Sequence, residues 1–315
     1  MSVLIKTQNL VKRYNDLVAV DNVSITIESG AIVGLVGRNG AGKTTLIRLL
    51  TGLAKPTSGT FQIMPEGERL DTSVAAIVER PSVYSNMTGM ENLKAQSYLL
   101  GLPIDEQYLK TTLGLVRLDP SSKKKVKDYS LGMRQRLAIA MTLVGKPKLL
   151  ILDEPTNGLD PQGIRDMREI FVNLNQKFGV TLVVSSHILT ELGKFATEFY
   201  FMERGRIIKH ATAEEIALAS QKRLRVIVDD AEKAAQALSN MVVTTSEVDN
   251  QLAPQTDVKV KIVSSHVVEI FADIPATEVL LTLAQNGVTA TNIINVGDDL
   301  ENYYMQLING GGKNA

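Results

Sequence analysis

One segment of this sequence has the residue types and spacing that bind a triphosphate. Residues 37–44 read G-R-N-G-A-G-K-T and match the pattern G-x-x-x-x-G-K-[ST]. Glycines let the backbone turn tightly, so that successive N–H groups point at phosphate oxygens. Lys43 would reach the outer phosphates, and the Thr44 hydroxyl would ligate Mg²⁺. We predict that the nucleotide is bound by Gly37, Arg38, Asn39, Gly40, Ala41, Gly42, Lys43, Thr44 and Thr45.

Two adjacent carboxylates, Asp153 and Glu154, form a second group of side chains that could take part in a reaction. They follow the apolar residues 149–152, which places them at the carboxyl end of a core strand, where α/β sheets bind ligands. Asp153 suits Mg²⁺ coordination through a water molecule, and Glu154 suits a base that orients or deprotonates the water attacking the γ-phosphate. By themselves the two acids would fit a solvated turn. Beside residues 37–44, the catalytic interpretation is favoured.

The flanking sequence supplies the elements that such a site needs. Residues 31–36 are apolar enough for a buried parallel strand, and residues 45–50 have the apolar spacing of a helix. Short strands are expected within residues 3–36, helices within 89–145, and a further strand over 180–184. Alternating strands and helices predict a doubly wound α/β core.

The order of the predicted strands and helices changes after residue 219. The order becomes strand, helix, strands, helix and strand, which predicts a second, small α+β domain. We expect domains over residues 1–219 and 220–315, with a helical insertion at about 84–145 in the first. Residues 310–315 are expected to be a frayed tail, and His266, within a β-rich run, is expected to be a strand position rather than a ligand.

Composition narrows the class of protein. The chain has 315 residues, of which 34 are basic and 34 acidic, so no basic excess points to nucleic acid. It has no cysteine, which fits a reducing compartment. Neither a signal-peptide pattern nor an apolar run long enough for a membrane span is found. We expect a soluble protein that depends on another chain for any membrane spans.

Several separate motifs resemble the nucleotide-binding subunit of an ATP-binding cassette transporter. Besides residues 37–44 they are Y-S-L-G-M-R-Q-R at 129–136, L-D-E-P-T-N-G-L-D at 152–160 and S-S-H at 185–187. The resemblance covers residues 1 to about 219. It implies ATP as substrate, Mg²⁺, and a P-loop NTPase (RecA-like) core with an antiparallel β subdomain.

The resemblance also implies roles for individual residues. Tyr14 would stack on adenine, for which only a flat π surface is needed. His187 would hydrogen-bond the γ-phosphate and act with Glu154 and Lys43 in catalysis. Asp160 would belong to a loop that crosses to a partner subunit, although Asp160-Pro161 is also a good helix start.

Two segments depart from the family pattern. Residues 129–133 differ from the usual L-S-G-G-Q, but Ser130 and Gly132 remain, and a serine at a helix N-terminus can still offer its hydroxyl and nearby N–H groups to a γ-phosphate. Glu79 stands where most relatives carry glutamine, and either side chain offers an oxygen to Mg²⁺. Both departures are similar to the bacitracin and lantibiotic resistance branch of the family.

In such a family the nucleotide lies between two subunits. The resemblance therefore implies a second ATP-binding subunit, identical or paralogous, and an integral membrane permease. It places the chain in the cytoplasm, on the inner face of the cell membrane, with export of a peptide antibiotic or drug as the expected work. The lysine run at 123–125 and Lys127 is expected to be a solvated face or an interaction surface near the 129–136 segment.

Two other functions are weighed against this one. A cassette ATPase of DNA repair or translation usually carries long coiled coils or two cassettes, and this sequence shows neither heptads nor a second loop. A small P-loop GTPase or kinase is disfavoured by Ser130 and His187 with their surroundings. The Asn-Lys-x-Asp segment expected for guanine specificity is also not found.

Overall fold

The computed structural model describes residues 2–63, 73–79, 82–219, 223–239, 241–243, 256–271 and 274–296. The chain divides into two compact units, Met1–Ala213 and Glu214–Ala315. The strands of the first unit are β1 Val3–Tyr14, β2 Leu17–Val23, β3 Thr26–Glu28, β4 Ile32–Val36, β5 Ser58–Ile63, β6 Val74–Ile77, β7 Leu149–Leu152, β8 Thr181–Ser186, β9 Glu198–Glu203 and β10 Arg206–Thr212. Its helices are α1 Lys43–Leu50, α2 Gly89–Leu99, α3 Glu106–Leu115, α4 Leu131–Leu143, α5 Pro161–Phe178 and α6 Leu189–Leu192. The helix α7, Ala213–Ala219, begins at the last residue of the first unit.

A mostly parallel six-stranded sheet forms the centre of the first unit, with the order β10-β9-β4-β8-β7-β6. Strands β4, β7 and β8 are buried along their whole length. Such continuous apolar runs are typical of parallel strands covered on both faces. The carboxyl ends of these parallel strands lie at one edge of the sheet, and the residues that follow β4, β7 and β8 are the predicted site residues.

A second, antiparallel sheet covers one side of this core. It has the order β2-β1-β3, with β5 also paired to β1. Its buried side chains Ile5, Leu10 and Ile27 belong to the same apolar cluster as Leu35 of β4 and Leu46 of α1. The packing of this cluster holds β4 and α1, which precede and follow the glycine loop, in fixed positions.

Helices α2, α3 and α4 form the helical part of the unit, and each begins at a side-chain cap. Thr88 and Glu91 form a capping box at the start of α2, and Asp105 accepts from the backbone N–H of Tyr108 at the start of α3. Ser130 caps α4 by accepting from the N–H of Met133 at 3.2 Å. The polar residues before each apolar stretch therefore decide where these helices begin.

The second unit is a small α+β fold. It contains β11 Arg223–Val228, α8 Ala231–Ser239, β14 Lys259–Ser264, β15 Val267–Phe271, α9 Ala276–Gln285 and β16 Ala290–Val296, with the short strands β12 Val242–Val243 and β13 Thr256–Asp257 before β14. The four longer strands are antiparallel in the order β14-β15-β11-β16, which is the arrangement of a ferredoxin-like β-α-β-β-α-β unit. Val226, Ile270 and Leu283 are fully buried in its own apolar cluster.

Three features differ from the expectations. Strand β1 has 12 residues, longer than the short strands expected, with register shifts between Leu10 and Lys12 and between Lys12 and Arg13. His266 lies in the turn between β14 and β15, not in a strand, and Ser265 Oγ is 2.8 Å from its Nδ1. The hairpin of β9 and β10 was not expected. The frayed tail predicted at 310–315 lies outside the described residues.

None of the helices in the described part of the chain has the length and apolarity needed to cross a bilayer.

Candidate nucleotide-binding site

The glycine loop connects β4 to α1, as the sequence predicts. Gly42 has φ +106°, a conformation that favours glycine, and a Cβ there would lie 2.3 Å from the carbonyl oxygen of Ala19. Lys43 is 6% exposed, and its Nζ donates to the carbonyl oxygen of Gly37 at 2.7 Å. The ammonium group is therefore held over the loop, where it can meet a phosphate.

The Thr44 hydroxyl and the first carboxylate are brought together across 109 positions of sequence. Thr44 Oγ1 donates to Asp153 Oδ2 at 2.8 Å, and Ser185 Oγ donates to Asp153 Oδ1 at 2.6 Å. Asp153 is 5% exposed, and its backbone N–H donates to Ile77 of β6. The hydroxyl and carboxylate oxygens offer hard ligands of the kind that Mg²⁺ prefers.

Glu154 connects the loop to His187. Its Oε1 lies 3.2 Å from Lys43 Nζ, and its Oε2 lies 2.8 Å from His187 Nδ1. The backbone N–H of Glu154 donates to Ser185 Oγ, and its φ is +47°, which is uncommon for a residue other than glycine. Backbone strain of this kind concentrates at functional sites. The structure thus joins Lys43, Thr44, Asp153, Glu154 and His187 in one network.

A cavity of about 510 Å³ lies in front of the glycine loop. Lys43, Thr44 and Glu154 line it together with residues from two other places in the chain, β2 and the β9–β10 turn. The contributions from outside the predicted set are Leu17, Val18, Ala19, Arg204 and Gly205. The backbone N–H of Gly205 donates to the carbonyl oxygen of Ala41, so the turn is tied directly to the loop.

Two features of the site that were not predicted, the β9–β10 turn and the role of Ser185, have signals in the sequence. An apolar run followed by Gly205 is the sequence signal of a hairpin turn, and in the structure Arg204 and Gly205 both have the positive φ that a two-residue turn requires. Ser185 follows an apolar strand segment and is fully buried, and a buried serine hydroxyl needs a hydrogen-bond partner, which here is Asp153.

Tyr14 lies at the end of β1, opposite Leu17 in the register of β1 and β2. Its ring is 41% exposed and carries Lys12 Nζ at 4.8 Å from the ring centroid. Leu17 lines the cavity and Tyr14 does not. The Tyr14 ring therefore lies beside the cavity, and the ammonium group of Lys12 lies over one face of the ring.

Glu79 is not connected to Thr44 or Asp153. Its carboxylate forms an ion pair with Arg48, and its side chain is 58% exposed. Arg48 follows Thr44 by one turn of α1, so Glu79 lies alongside the helix rather than at its first turn.

Ser130, Gly132 and Asp160 gather in a different cavity, which we call the Ser130 cleft. It measures about 340 Å³ and lies between the start of α4 and the start of α5. Asp160 accepts from the N–H of Gly163 at 2.8 Å, so the helix-cap interpretation holds. Among the described residues, no lining residue is shared by the Ser130 cleft and the cavity at the glycine loop.

The oxygen atoms of Thr44 and Asp153 are the candidate metal ligands at this site. Within the described ranges no group of three or more His, Cys, Asp or Glu side chains could hold a metal ion. Mg²⁺ in triphosphate sites is commonly held by one or two protein oxygens together with the phosphates themselves, so Thr44 and Asp153 suffice in number.

Known proteins are similar to this chain, and BcrA matches it along nearly its whole length. A family model described as ABC transporter matches residues 20–157. The bacitracin transport ATP-binding protein BcrA of Enterococcus faecalis is 34% identical, with 99% of this chain and 98% of that protein covered. The lantibiotic transport ATP-binding protein SrtF of Streptococcus pyogenes is 42% identical, with 65% of this chain and 89% of that protein covered.

A solved structure matches the fold of the first part of the chain. It is a dimeric structure of a post-hydrolysis state of the ATP-binding cassette MJ0796 bound to ADP and Pi. The TM-score is 0.59 at 22% identity, and the match covers 67% of this chain and 99% of that one. At that identity the likeness shows the fold alone, and it confirms the predicted cassette core.

Proposed function

Because this chain belongs to the ATP-binding cassette (ABC) transporter family and is one of its ATPase subunits, we propose that ATP hydrolysed between two copies of it drives a separate membrane permease. The 34% identity to BcrA over 99% of the chain confirms the family resemblance, including the bacitracin and lantibiotic branch. These relatives are transport ATP-binding proteins, so they favour a function in transport over one in DNA repair or translation.

The contacts between Lys43, Glu154 and His187 are the observation that carries the catalytic part of the proposal. A carboxylate 3.2 Å from a lysine of the glycine loop and 2.8 Å from an imidazole stands beside the place where a γ-phosphate would lie. Glu154 is the proposed base for the attacking water, and His187 keeps the Glu154 carboxylate oriented and hydrogen-bonds the phosphate. Residues 37–45 hold the triphosphate by their backbone N–H groups.

Mg²⁺ is proposed to be held by Thr44 and Asp153. The adjacent hydroxyl and carboxylate oxygens fit this ion, because both are hard donors and both are already oriented by hydrogen bonds. When bound, Mg²⁺ neutralises charge on the phosphate oxygens. Glu79 remains a proposed further oxygen ligand, although its carboxylate is paired with Arg48, one turn along α1 from Thr44.

The second part of the proposal is that two subunits complete each site. Ser130, Gly132 and Asp160 share a cleft that has no lining residue in common with the loop cavity of the same chain. A dimeric cassette with ADP and Pi is known for MJ0796. We infer that each chain presents its Ser130 cleft to the nucleotide bound by the other, and that Tyr14 stacks on the adenine of its own nucleotide.

The two compact units suggest a division of labour. We assign residues 1–219 to the ATPase domain, with the helical subdomain at about 84–145, and residues 220–315 to an accessory domain. The boundary between the compact units of the structure falls after residue 213, which lies within the range 1–219 assigned to the ATPase domain. An inter-subunit contact or a regulatory role is our hypothesis for the accessory domain. ATPase activity and dimerisation that stay unchanged without it would remove that hypothesis.

The relatives' names indicate the work that this ATPase powers. BcrA is a bacitracin transport protein and SrtF a lantibiotic transport protein. We propose export of a peptide antibiotic or similar drug, by a chain that lies in the cytoplasm against the inner face of the cell membrane. Co-purification of a multi-span membrane protein would support this, whereas co-purification of DNA or ribosomes would contradict it.

The experiment that tests the two-subunit site uses Glu154→Gln. Loss of the base should lower ATP hydrolysis by about 100-fold or more. The variant still has Lys43 and Thr44, so it should bind Mg-ATP and accumulate as a dimer in size-exclusion chromatography with multi-angle light scattering.

The matched control is Glu28→Gln, an exposed glutamate at the end of β3. It should hydrolyse ATP like the parent protein and should not accumulate as a stable dimer. A Glu154→Gln protein that remains monomeric at saturating Mg-ATP would contradict the two-subunit site.

A further inference from the structure

Arg117 occupies a backbone position that does not favour arginine. It follows the end of α3 with φ +57°, and the N–H groups of Arg117 and Leu118 donate to the carbonyl oxygens of Gly114 and Leu113. Helices that end in this way usually have glycine at the left-handed residue, because a Cβ is disfavoured there. A residue other than glycine keeps such a conformation where the surrounding structure holds it there, and Arg117 is held by contacts with two other helices.

The guanidinium group of Arg117 binds two carboxylates on α5. Its Nη1 lies 2.7 Å from Asp166 Oδ1, and its Nη2 pairs with Glu169. Asp166 also accepts from Gln162 Nε2 at 2.9 Å. Asp166 and Glu169 are three residues apart and therefore lie on one side of the helix. The planar fork of arginine suits this double contact, which the single ammonium of lysine would not reproduce.

The backbone of Arg117 binds a third helix. Arg136 of α4 donates from Nη1 to the carbonyl oxygen of Arg117 at 3.0 Å and from Nε to the carbonyl oxygen of Gly132 at 3.4 Å. The end of α3, the first turns of α4 and the first turns of α5 are thus joined at one residue. A separate hydrogen bond runs from Gln135 Nε2 of α4 to the carbonyl oxygen of Asn157, in the segment before α5, at 3.4 Å.

The joined helices carry the walls of the Ser130 cleft. Arg136 and Asp166, both held by Arg117, line this cleft with Ser130, Gly132 and Asp160. Arg117 itself does not line it. The residue is therefore placed behind the surface that another molecule would meet, where it can set the distance between the two helix starts without touching a ligand.

We propose that Arg117 is a positioning residue that holds Ser130 and Gly132 at a fixed distance from Asp160, so that the chain presents them together to the triphosphate bound by the second subunit. This inference rests on the proposed two-subunit site. It assigns Arg117 no contact with nucleotide.

A role of Arg117 in folding stability can be separated from its positioning role by substitution. The side chains of Arg117 and Glu169 are 43% and 54% exposed, so their ion pair contributes little to stability, whereas Asp166 is 18% exposed. Glycine would relieve the backbone at φ +57°. Arg117→Gly therefore removes the ion pairs and recovers part of the lost stability through the backbone, which separates the two roles.

The test measures ATP-dependent dimerisation in the Glu154→Gln background. Arg117→Ala and Arg117→Gly should each weaken dimerisation by about threefold to tenfold, since in both sites of the symmetric dimer the ion pairs of Arg117 with Asp166 and Glu169 are lost. ATP affinity measured below the concentration at which dimers form should be unchanged, because the glycine loop is not altered. Arg117→Gly should melt at a higher temperature than Arg117→Ala while dimerising no better.

Lys94→Ala is the matched control. Lys94 Nζ lies 2.5 Å from Glu106 Oε1, so this change removes an exposed ion pair between α2 and α3 in the same helical part, away from the Ser130 cleft. Dimerisation should equal that of the Glu154→Gln parent. An Arg117→Gly protein that dimerises as tightly as this parent would overturn the inference and leave the proposed function standing. A parent that stays monomeric with Mg-ATP would overturn both.

A double-mutant cycle with Glu169→Ala locates the effect. Glu169 contacts Arg117 and does not line the cleft. If Arg117 acts through α5, then Arg117→Ala combined with Glu169→Ala should weaken dimerisation no more than Arg117→Ala alone. Fully additive losses would show that Arg117 acts by another route and would overturn the proposed role.

Discussion

The glycine-loop site and the Ser130 cleft are built in different ways from the same chain. At the glycine loop, the functional side chains bind one another: Lys43 and Asp153 are buried, Lys43 Nζ lies 3.2 Å from Glu154 Oε1, and Asp153 accepts from Thr44 Oγ1 at 2.8 Å. In the Ser130 cleft, the side chains of Ser130 and Asp160 accept from backbone N–H groups in the first turns of their own helices. One region is a closed network on core strands, and the other is a pair of exposed helix starts.

This difference indicates what each region can do alone. A network fixed by buried strands keeps its geometry in a single chain, so it should bind nucleotide without a partner. Exposed helix starts offer N–H groups and hydroxyls to an anion that is brought to them. We therefore expect changes at the loop to abolish binding by one chain, and changes at the cleft to affect only the encounter of two chains.

The largest effect is expected from Lys43→Ala, which tests the first half of this comparison. Removing the ammonium takes away a charged hydrogen bond to phosphate and leaves Glu154 without its cation, so ATP affinity should fall by about 30-fold or more. Isothermal titration of the single chain with a nonhydrolysable ATP analogue measures this loss.

Lys6→Ala is the control for that titration, since Lys6 is exposed on β1. Its affinity for the analogue should match the parent protein. If Lys43→Ala bound the analogue with unchanged affinity, the glycine loop would not be the nucleotide site, and the distinction between the two regions would be lost.

The two regions also differ in how far sequence predicted them. The glycine loop itself is local in sequence, and the strand, turn and helix around Lys43 were all predicted. The sequence placed Glu154 at the carboxyl end of a core strand, where α/β sheets bind ligands, and the family resemblance implied that it acts with Lys43 and His187. The helix starts at Ser130 and Asp160 were also predicted, from their cap residues.

What sequence did not predict depends on contacts between distant segments. Arg204 and Gly205 reach the loop through a hairpin whose strand pairing is set by the whole sheet. Glu79 pairs with Arg48, and Arg117 with Asp166, across separations where local pattern has no information. The chemistry of a motif is local in sequence, and the support behind it is not.

A smaller and more selective effect is expected from Ser130→Ala. The single chain should bind ATP as before, whereas hydrolysis at saturating ATP and dimerisation in the Glu154→Gln background should each fall by about tenfold, because a hydroxyl facing the second subunit's phosphate is lost. Paired measurements of ATP affinity and of the dimer dissociation constant separate these outcomes.

Ser130→Ala also removes a helix cap, which costs about 1 kcal/mol of stability. Asp105→Ala is therefore the matched control, since Asp105 caps α3 by accepting from the N–H of Tyr108 at 3.0 Å. It should lower the melting temperature to a similar extent and leave dimerisation intact. Equal dimerisation losses in the two variants would mean that the Ser130 cleft acts only through helix stability.

The smallest effect is expected at Glu79, which belongs fully to neither region. Glu79→Gln keeps a side-chain oxygen but removes the charge paired with Arg48, so ATP affinity should stay unchanged and turnover should change by no more than about threefold. Arg48→Ala removes the same ion pair from the other side. If both variants alter turnover equally, the exposed pair accounts for the effect. If Glu79→Gln alone abolishes ATP binding, Glu79 belongs to the closed network at the loop, and the boundary between the two regions lies elsewhere.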